Sequence, residues 1–141
     1  MENRVSKEQM SALPYIIAVD FDGTLVEDKF PEIGKKRPTV WARHEHAKRM
    51  GAKIILWTSR DHENLEAAVE YCKSEGLTFD AVNENIKECQ ELFNNDTRKV
   101  YANEYWDDRA IGQFCERIFT DGKKYTIKCA EIPEFPAAVY G

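Results

Sequence analysis

Tyr15-Ile16-Ile17-Ala18-Val19 is a near-continuous apolar run that stops abruptly on Asp20-Phe21-Asp22-Gly23-Thr24. A short run without polar alternation, bounded by a turn signal, predicts a strand buried on both faces. Such strands belong to parallel sheets covered by helices. Asp20 and Asp22 lie two positions apart, so on an extended backbone both carboxylates point the same way. Close carboxylates repel unless a cation lies between them. Gly23 permits a sharp turn and a close backbone approach. Acids at the carboxyl end of a buried strand lie where open α/β sheets place their sites. The plainer account is a strand followed by an Asp-Gly turn, and the rest of the chain decides between the two.

Further segments repeat the pattern. Pro38 suits the first turn of a helix running to about Met50, with Gly51 as its stop. Lys53–Thr58 reads as a second buried strand, closing on Thr58-Ser59-Arg60. Asp61 is placed to cap a helix from Asn64 to Glu75, which Gly76 ends. Phe79–Asn83 is a weak third strand, and Glu84–Phe93 a third helix. A fourth strand near Glu104–Trp106 ends in Asp107-Asp108-Arg109. Ile111–Ile118 is expected to be a short helix, and Phe119–Tyr125 a hairpin around Asp121-Gly122. Residues after Lys128 read as irregular. Strands alternating with helices predict a doubly wound, mainly parallel α/β sheet with helices on both faces. Residues 1–13 read as a flexible leader, and 14–141 as a single domain.

At 141 residues with a net charge of −5, the chain has no global attraction for nucleic acid. Nucleic acid and membrane are therefore not expected partners, and a homo-oligomer is compatible with the sequence. No stretch is long and apolar enough to span a bilayer. The four cysteines lack a Cys-x-x-Cys pair and read as reduced thiols of a cytoplasmic protein. His44 and His46 do not share a helix face, which argues against a histidine metal pair. The Lys35-Lys36-Arg37 triplet reads as solvated charge beside the site.

Three expected strands end in reactive groups: Asp20/Asp22, Thr58 and Asp107/Asp108. In a parallel sheet these ends share one edge. Together they make an all-oxygen site suited to Mg²⁺, which binds few carboxylates and keeps waters for phosphate oxygens. One carboxylate can then attack phosphorus, and another can serve as acid and base. Thr58 offers a hydroxyl to a phosphoryl oxygen, and a lysine offers positive charge.

Asp20-Phe21-Asp22-Gly23-Thr24-Leu25 resembles the first motif of the haloacid dehalogenase (HAD) superfamily of phosphohydrolases. Thr58 after an apolar strand resembles the second motif, and Asp107-Asp108 the acidic fourth. The resemblance spans roughly residues 15–120 and is closest to small, nearly capless bacterial and phage members. It implies a Rossmann-like fold with a minimal cap and a Mg²⁺-dependent phosphomonoesterase acting through an aspartyl-phosphate. Asp20 would be the nucleophile and a metal ligand. Asp22 would be the acid/base, with its backbone carbonyl on the metal. Asp107 would be a ligand, with Asp108 sharing or orienting that role. Thr58 and Lys99 would hold the phosphoryl group, with Lys87 the competing lysine, and the N–H groups of Phe21 and Ser59 would assist. Ser59 and Arg60 would contact a small phosphorylated substrate. Two alternatives stay open: a receiver-like phospho-acceptor, and a catalytically silent Mg²⁺-binding accessory protein.

Overall fold

The structure is a computed structural model that describes residues 5–110 and the strands Phe114–Ile118 and Lys124–Lys128. The elements run α1 (Lys7–Ser11), β1 (Ile16–Val19), α2 (Pro38–Arg49), β2 (Lys53–Leu56) and α3 (His62–Ser74). They continue with β3 (Ala81–Val82), α4 (Lys87–Phe93), β4 (Glu104–Trp106), β5 (Phe114–Ile118) and β6 (Lys124–Lys128).

β1 to β4 form one parallel sheet in the order β3-β2-β1-β4. β1 pairs with β2 on one side and β4 on the other. Val19 is level with both Leu56 and Trp106. Leu56 is in turn level with Val82. The residues that follow, Asp20, Trp57, Asn83 and Asp107, therefore leave the sheet along one edge. The chain moves outward in one direction through β2 and β3, then returns to add β4 beside β1. That reversal is a topological switch point, where open α/β sheets hold their ligands.

Two cores flank the sheet, as expected of a doubly wound fold. Ile17, Val19, Ile54 and Leu56 face α2 and α3 and pack with Phe21, Trp41, Ala68 and Cys72. Ile16, Ala18 and Ile55 face the other way, onto Ile86 and Cys89 at α4 and onto Val100. All four β1 side chains are buried. Each buried Ile or Val contributes roughly 1.5–3 kcal/mol, which explains why β1 carries no polar residue before Asp20.

The 25–37 link folds back on itself. Glu27 N–H donates to Lys35 O at 2.8 Å, and Arg37 N–H to Leu25 O at 2.9 Å. The basic triplet is partly absorbed by this packing. Lys36 pairs with Glu75 at 3.2 Å and lies over Trp41, while Arg37 donates to Gly23 O.

Several boundaries and one element differ from expectation. The leader, read from the sequence as loose or weakly helical, holds the short α1 helix, closed by a reciprocal capping box between Ser6 and Gln9. α3 begins at His62, and Asp61 at its cap makes no side-chain capping bond. α4 begins at Lys87 instead of Glu84, because Asn85 is tied elsewhere. Its Nδ2 donates to Asp96 Oδ1 and Thr97 Oγ1, and its Oδ1 accepts from Tyr101 N–H. The helix expected over Ile111–Ile118 is replaced by β5, which pairs antiparallel with β6, Ile118 level with Lys124. Phe114, Cys115 and Ile118 fit either period over so short a stretch, and the partner strand decided. The residues around Asp121-Gly122 lie outside the described set, as does the tail after Lys128.

Candidate active site

β1 ends by handing Asp20 N–H to Trp106 O at 2.9 Å, which fixes the first carboxylate beside β4. Side-chain oxygens of Asp20, Asp107 and Asp108 lie within 4.8 Å of one another. Burial, reinforced by Asp107, pushes the Asp20 carboxyl up to about 7. Asp108 is raised in the same way, by burial first and Asp107 second. Three converging carboxylates, with burial and mutual repulsion outweighing the Arg109 charge at Asp108, fit a hard divalent cation such as Mg²⁺, since every side-chain donor is oxygen.

The turn after β1 is shaped around Asp108. Gly23 has φ +85°, and a Cβ there would lie 2.3 Å from Asp108 Oδ2. Asp108 N–H donates to Thr24 Oγ1 at 3.1 Å. The Gly-Thr pair thus seats the β4 acids against the β1 turn. Asp107 Oδ1 accepts from Arg109 N–H at 2.9 Å.

Asp22 does not join this cluster with its side chain. Arg60 Nε donates to Asp22 Oδ2 at 2.7 Å, and Nη2 to Oδ1 at 2.8 Å. The remaining donors reach Pro31 O, Asn64 O and Glu32 O at 3.1, 3.2 and 2.9 Å. A guanidinium has five N–H groups, and all five are engaged. Arg60 is also 3% exposed. The expected substrate contact by Arg60 is therefore corrected: it is a positioning residue that ties Asp22 to the 30–32 loop and to α3.

Thr58 lies at the site as expected. Its backbone N–H donates to Asn83 Oδ1 at 2.8 Å, and its hydroxyl oxygen accepts from Arg60 N–H at 3.1 Å. The hydroxyl proton is left to donate outward. Ser59 also lines the pocket and is exposed. Asn83 is a site residue that the sequence reading passed over. Only its place after the third strand hinted at it, because its role depends on β3 lying next to β2.

The expected lysine is not there. Lys99 holds its ammonium 5.0 Å from the centre of the Tyr105 ring, and Tyr105 packs on the α4-side core. Lys87 pairs with Glu91 at 3.8 Å on an exposed face of α4. Among the described residues, the cations lining the pocket are Arg60 and Arg109. Arg109 is mostly exposed and lies 4.0 Å from Asp28.

These groups surround an open pocket of about 580 Å³. Asp20, Asp22, Thr58, Asn83 and Asp107 contribute the polar floor, and Phe30 and Trp57 contribute the large apolar surfaces. Cys72 and Cys89 are buried, free thiols away from it. Among the described residues no helix is long and apolar enough to cross a membrane.

Fold and site together define a Rossmann-like α/β protein with an acidic centre at its switch point. No family model matches the chain, and no curated protein matches it. Among solved structures it is similar to a conserved protein from Bacteroides thetaiotaomicron, at 36% identity with a TM-score of 0.62. The match covers 70% of this chain and 79% of that one, and the chain belongs to the same family as that protein.

Proposed function

We propose that the protein is a Mg²⁺-dependent phosphomonoester hydrolase of HAD type, acting through an aspartyl-phosphate on Asp20. The observation that carries this reading is the convergence of Asp20, Asp107 and Asp108 within 4.8 Å of one another, beside a pocket lined by Asp20, Asp107 and Thr58. Asp20, Asp107 and Asp108 would hold the cation, which supplies charge neutralisation for the carboxylates and the phosphoryl oxygens.

Asp20 attacks phosphorus, and the bond from phosphorus to the leaving oxygen breaks. Thr58 donates its hydroxyl proton to a phosphoryl oxygen. Asp22, oriented by Arg60, passes to the leaving alkoxide the proton that it takes up from the entering phosphate monoanion. Each Asp22 oxygen keeps a lone pair for this beyond its bond to Arg60. In the second half, water gives a proton to Asp22 and attacks phosphorus, breaking the bond to Asp20 and releasing phosphate. Arg109, on the exposed lip, is the described cation best placed to meet the incoming phosphate.

Hydrolysis of p-nitrophenyl phosphate with and without Mg²⁺, in the wild type and Asp20→Asn, tests the reading. Metal-dependent turnover lost in the variant is the expected result. A single equivalent of phosphoryl transfer without turnover favours a receiver-like acceptor. Mg²⁺ binding with no transfer at all favours a silent accessory protein.

A further inference from the structure

Phe30 is the described large apolar residue that stands in solvent at the pocket mouth. It is 54% exposed. A single exposed phenylalanine on a loop is ordinary. This one is held from three sides. Its backbone N–H donates to Asp28 Oδ1 at 3.2 Å, which closes a local turn. Its ring lies 5.1 Å from the Arg60 guanidinium carbon. The next two carbonyls, Pro31 O and Glu32 O, accept from that same guanidinium.

Arg60 in turn lies 5.0 Å from the centre of the buried Phe21 ring. Phe30 is thus anchored through Arg60 to the core on the α2 and α3 side. Trp57 enters the pocket from the opposite core. Its backbone N–H donates to Val19 O at 2.8 Å, and its side chain packs on the α4-side cluster. Two aromatic residues, each rooted in a different core, therefore border one acidic floor.

We propose that Phe30 and Trp57 form an aromatic recognition rim, so that the site takes phosphomonoesters whose organic part carries a flat aromatic ring. The proposal rests on the phosphohydrolase reading for the phosphate end of the ligand. An aromatic face rewards stacking by a planar ring and offers a puckered polyol no hydrogen bond. Two of the polar groups beside the aromatic pair are already committed: Asn83 Oδ1 holds Thr58 N–H, and every Arg60 donor is engaged. Because the 28–32 loop is pinned beforehand, stacking costs little ordering entropy. Phe30 is accordingly the specificity-determining residue.

The test is equilibrium binding in Mg²⁺, by calorimetry, of benzylphosphonate against cyclohexylmethylphosphonate. The two share the phosphonate and the bulk, and differ in whether the ring is flat. The methylenephosphonate analogues of adenosine 5′-monophosphate and of ribose 5-phosphate form a second pair, which reads whether the ring is a nucleobase. Wild type is expected to favour the aromatic member of at least one pair by roughly tenfold. Phe30→Leu keeps apolar bulk and is expected to collapse that ratio towards one, whereas Phe30→Tyr keeps it. Equal binding within both pairs, no binding of any ligand, or a preference that survives Phe30→Leu overturns the proposal. Phosphonates are not hydrolysed, so this comparison reads out even if p-nitrophenyl phosphate is not turned over. Loss of turnover alone counts against the catalytic reading.

Discussion

Arg60 grips both carboxylate oxygens of Asp22, at 2.7 and 2.8 Å, while three backbone carbonyls take its other donors. Removing one partner of a buried pair leaves an uncompensated charge and orphaned acceptors. Arg60→Ala is expected to cost about 3–5 kcal/mol, read by urea unfolding at neutral pH. Arg60→Lys restores the charge but not the planar fork. It is expected to recover less than half of the loss. Full recovery by lysine would mean that only charge matters.

Gly23 is constrained twice, by its φ of +85° and by the nearness of Asp108. Gly51 has a similar φ, +92°, but nothing within 4 Å of its Cβ position. Gly51→Ala is expected to cost about 1 kcal/mol from strain alone. Gly23→Ala carries the same strain and also displaces Asp108, which would hold the cation under the proposed function. Calorimetric titration with Mg²⁺ is expected to show more than tenfold weaker binding in Gly23→Ala and no change in Gly51→Ala.

His44 is fully buried on α2, edge-on to Phe79, and neither ring nitrogen has a partner among the described residues. Burial, helped by Lys48 and opposed by Asp80, lowers its pKa from 6.5 to about 4. The folded state therefore binds fewer protons than the unfolded state between those values. Its contribution to stability is complete above pH 6.5 and is lost as pH falls towards 4. His44→Leu removes this term. The stability difference between wild type and His44→Leu is expected to move by on the order of 2 kcal/mol in favour of the variant from pH 7 to pH 4. A pH-independent difference would show that His44 titrates normally.

Asp107 joins the acidic cluster without a described cationic side chain beside it, since Arg109 approaches it through its backbone N–H. Saturating Mg²⁺ at a hundred times its dissociation constant stabilises a folded protein by about 2.7 kcal/mol. For a chain of this size that corresponds to a rise in Tm of about 10 °C. Thermal scans are expected to show this rise in the wild type and most of it lost in Asp107→Asn. Equal rises in both proteins would place the ion elsewhere.

Much of this protein is written locally. The apolar runs at Ile16–Val19 and Lys53–Leu56 bury both faces, and only a helix-covered parallel sheet accepts such strands. Asp20 and Asp107 follow their strands directly and Thr58 comes one residue after Trp57, so a shared sheet edge suffices to gather them. What depended on neighbours distant in sequence was not legible. Arg60 reads as a free cation until the 30–32 loop and Asp22 take all five of its donors. Lys99 reads as a phosphate ligand until Tyr105, facing the α4-side core, draws it away from the pocket. β5 reads as a helix because five residues satisfy both periods, and pairing with β6 settles the choice. The sequence by itself determined which groups end the strands, since strand and turn chemistry act over a few residues. Tertiary structure alone decided which of those groups stay free to act, because a donor or an acceptor is committed only when packing brings its partner within reach.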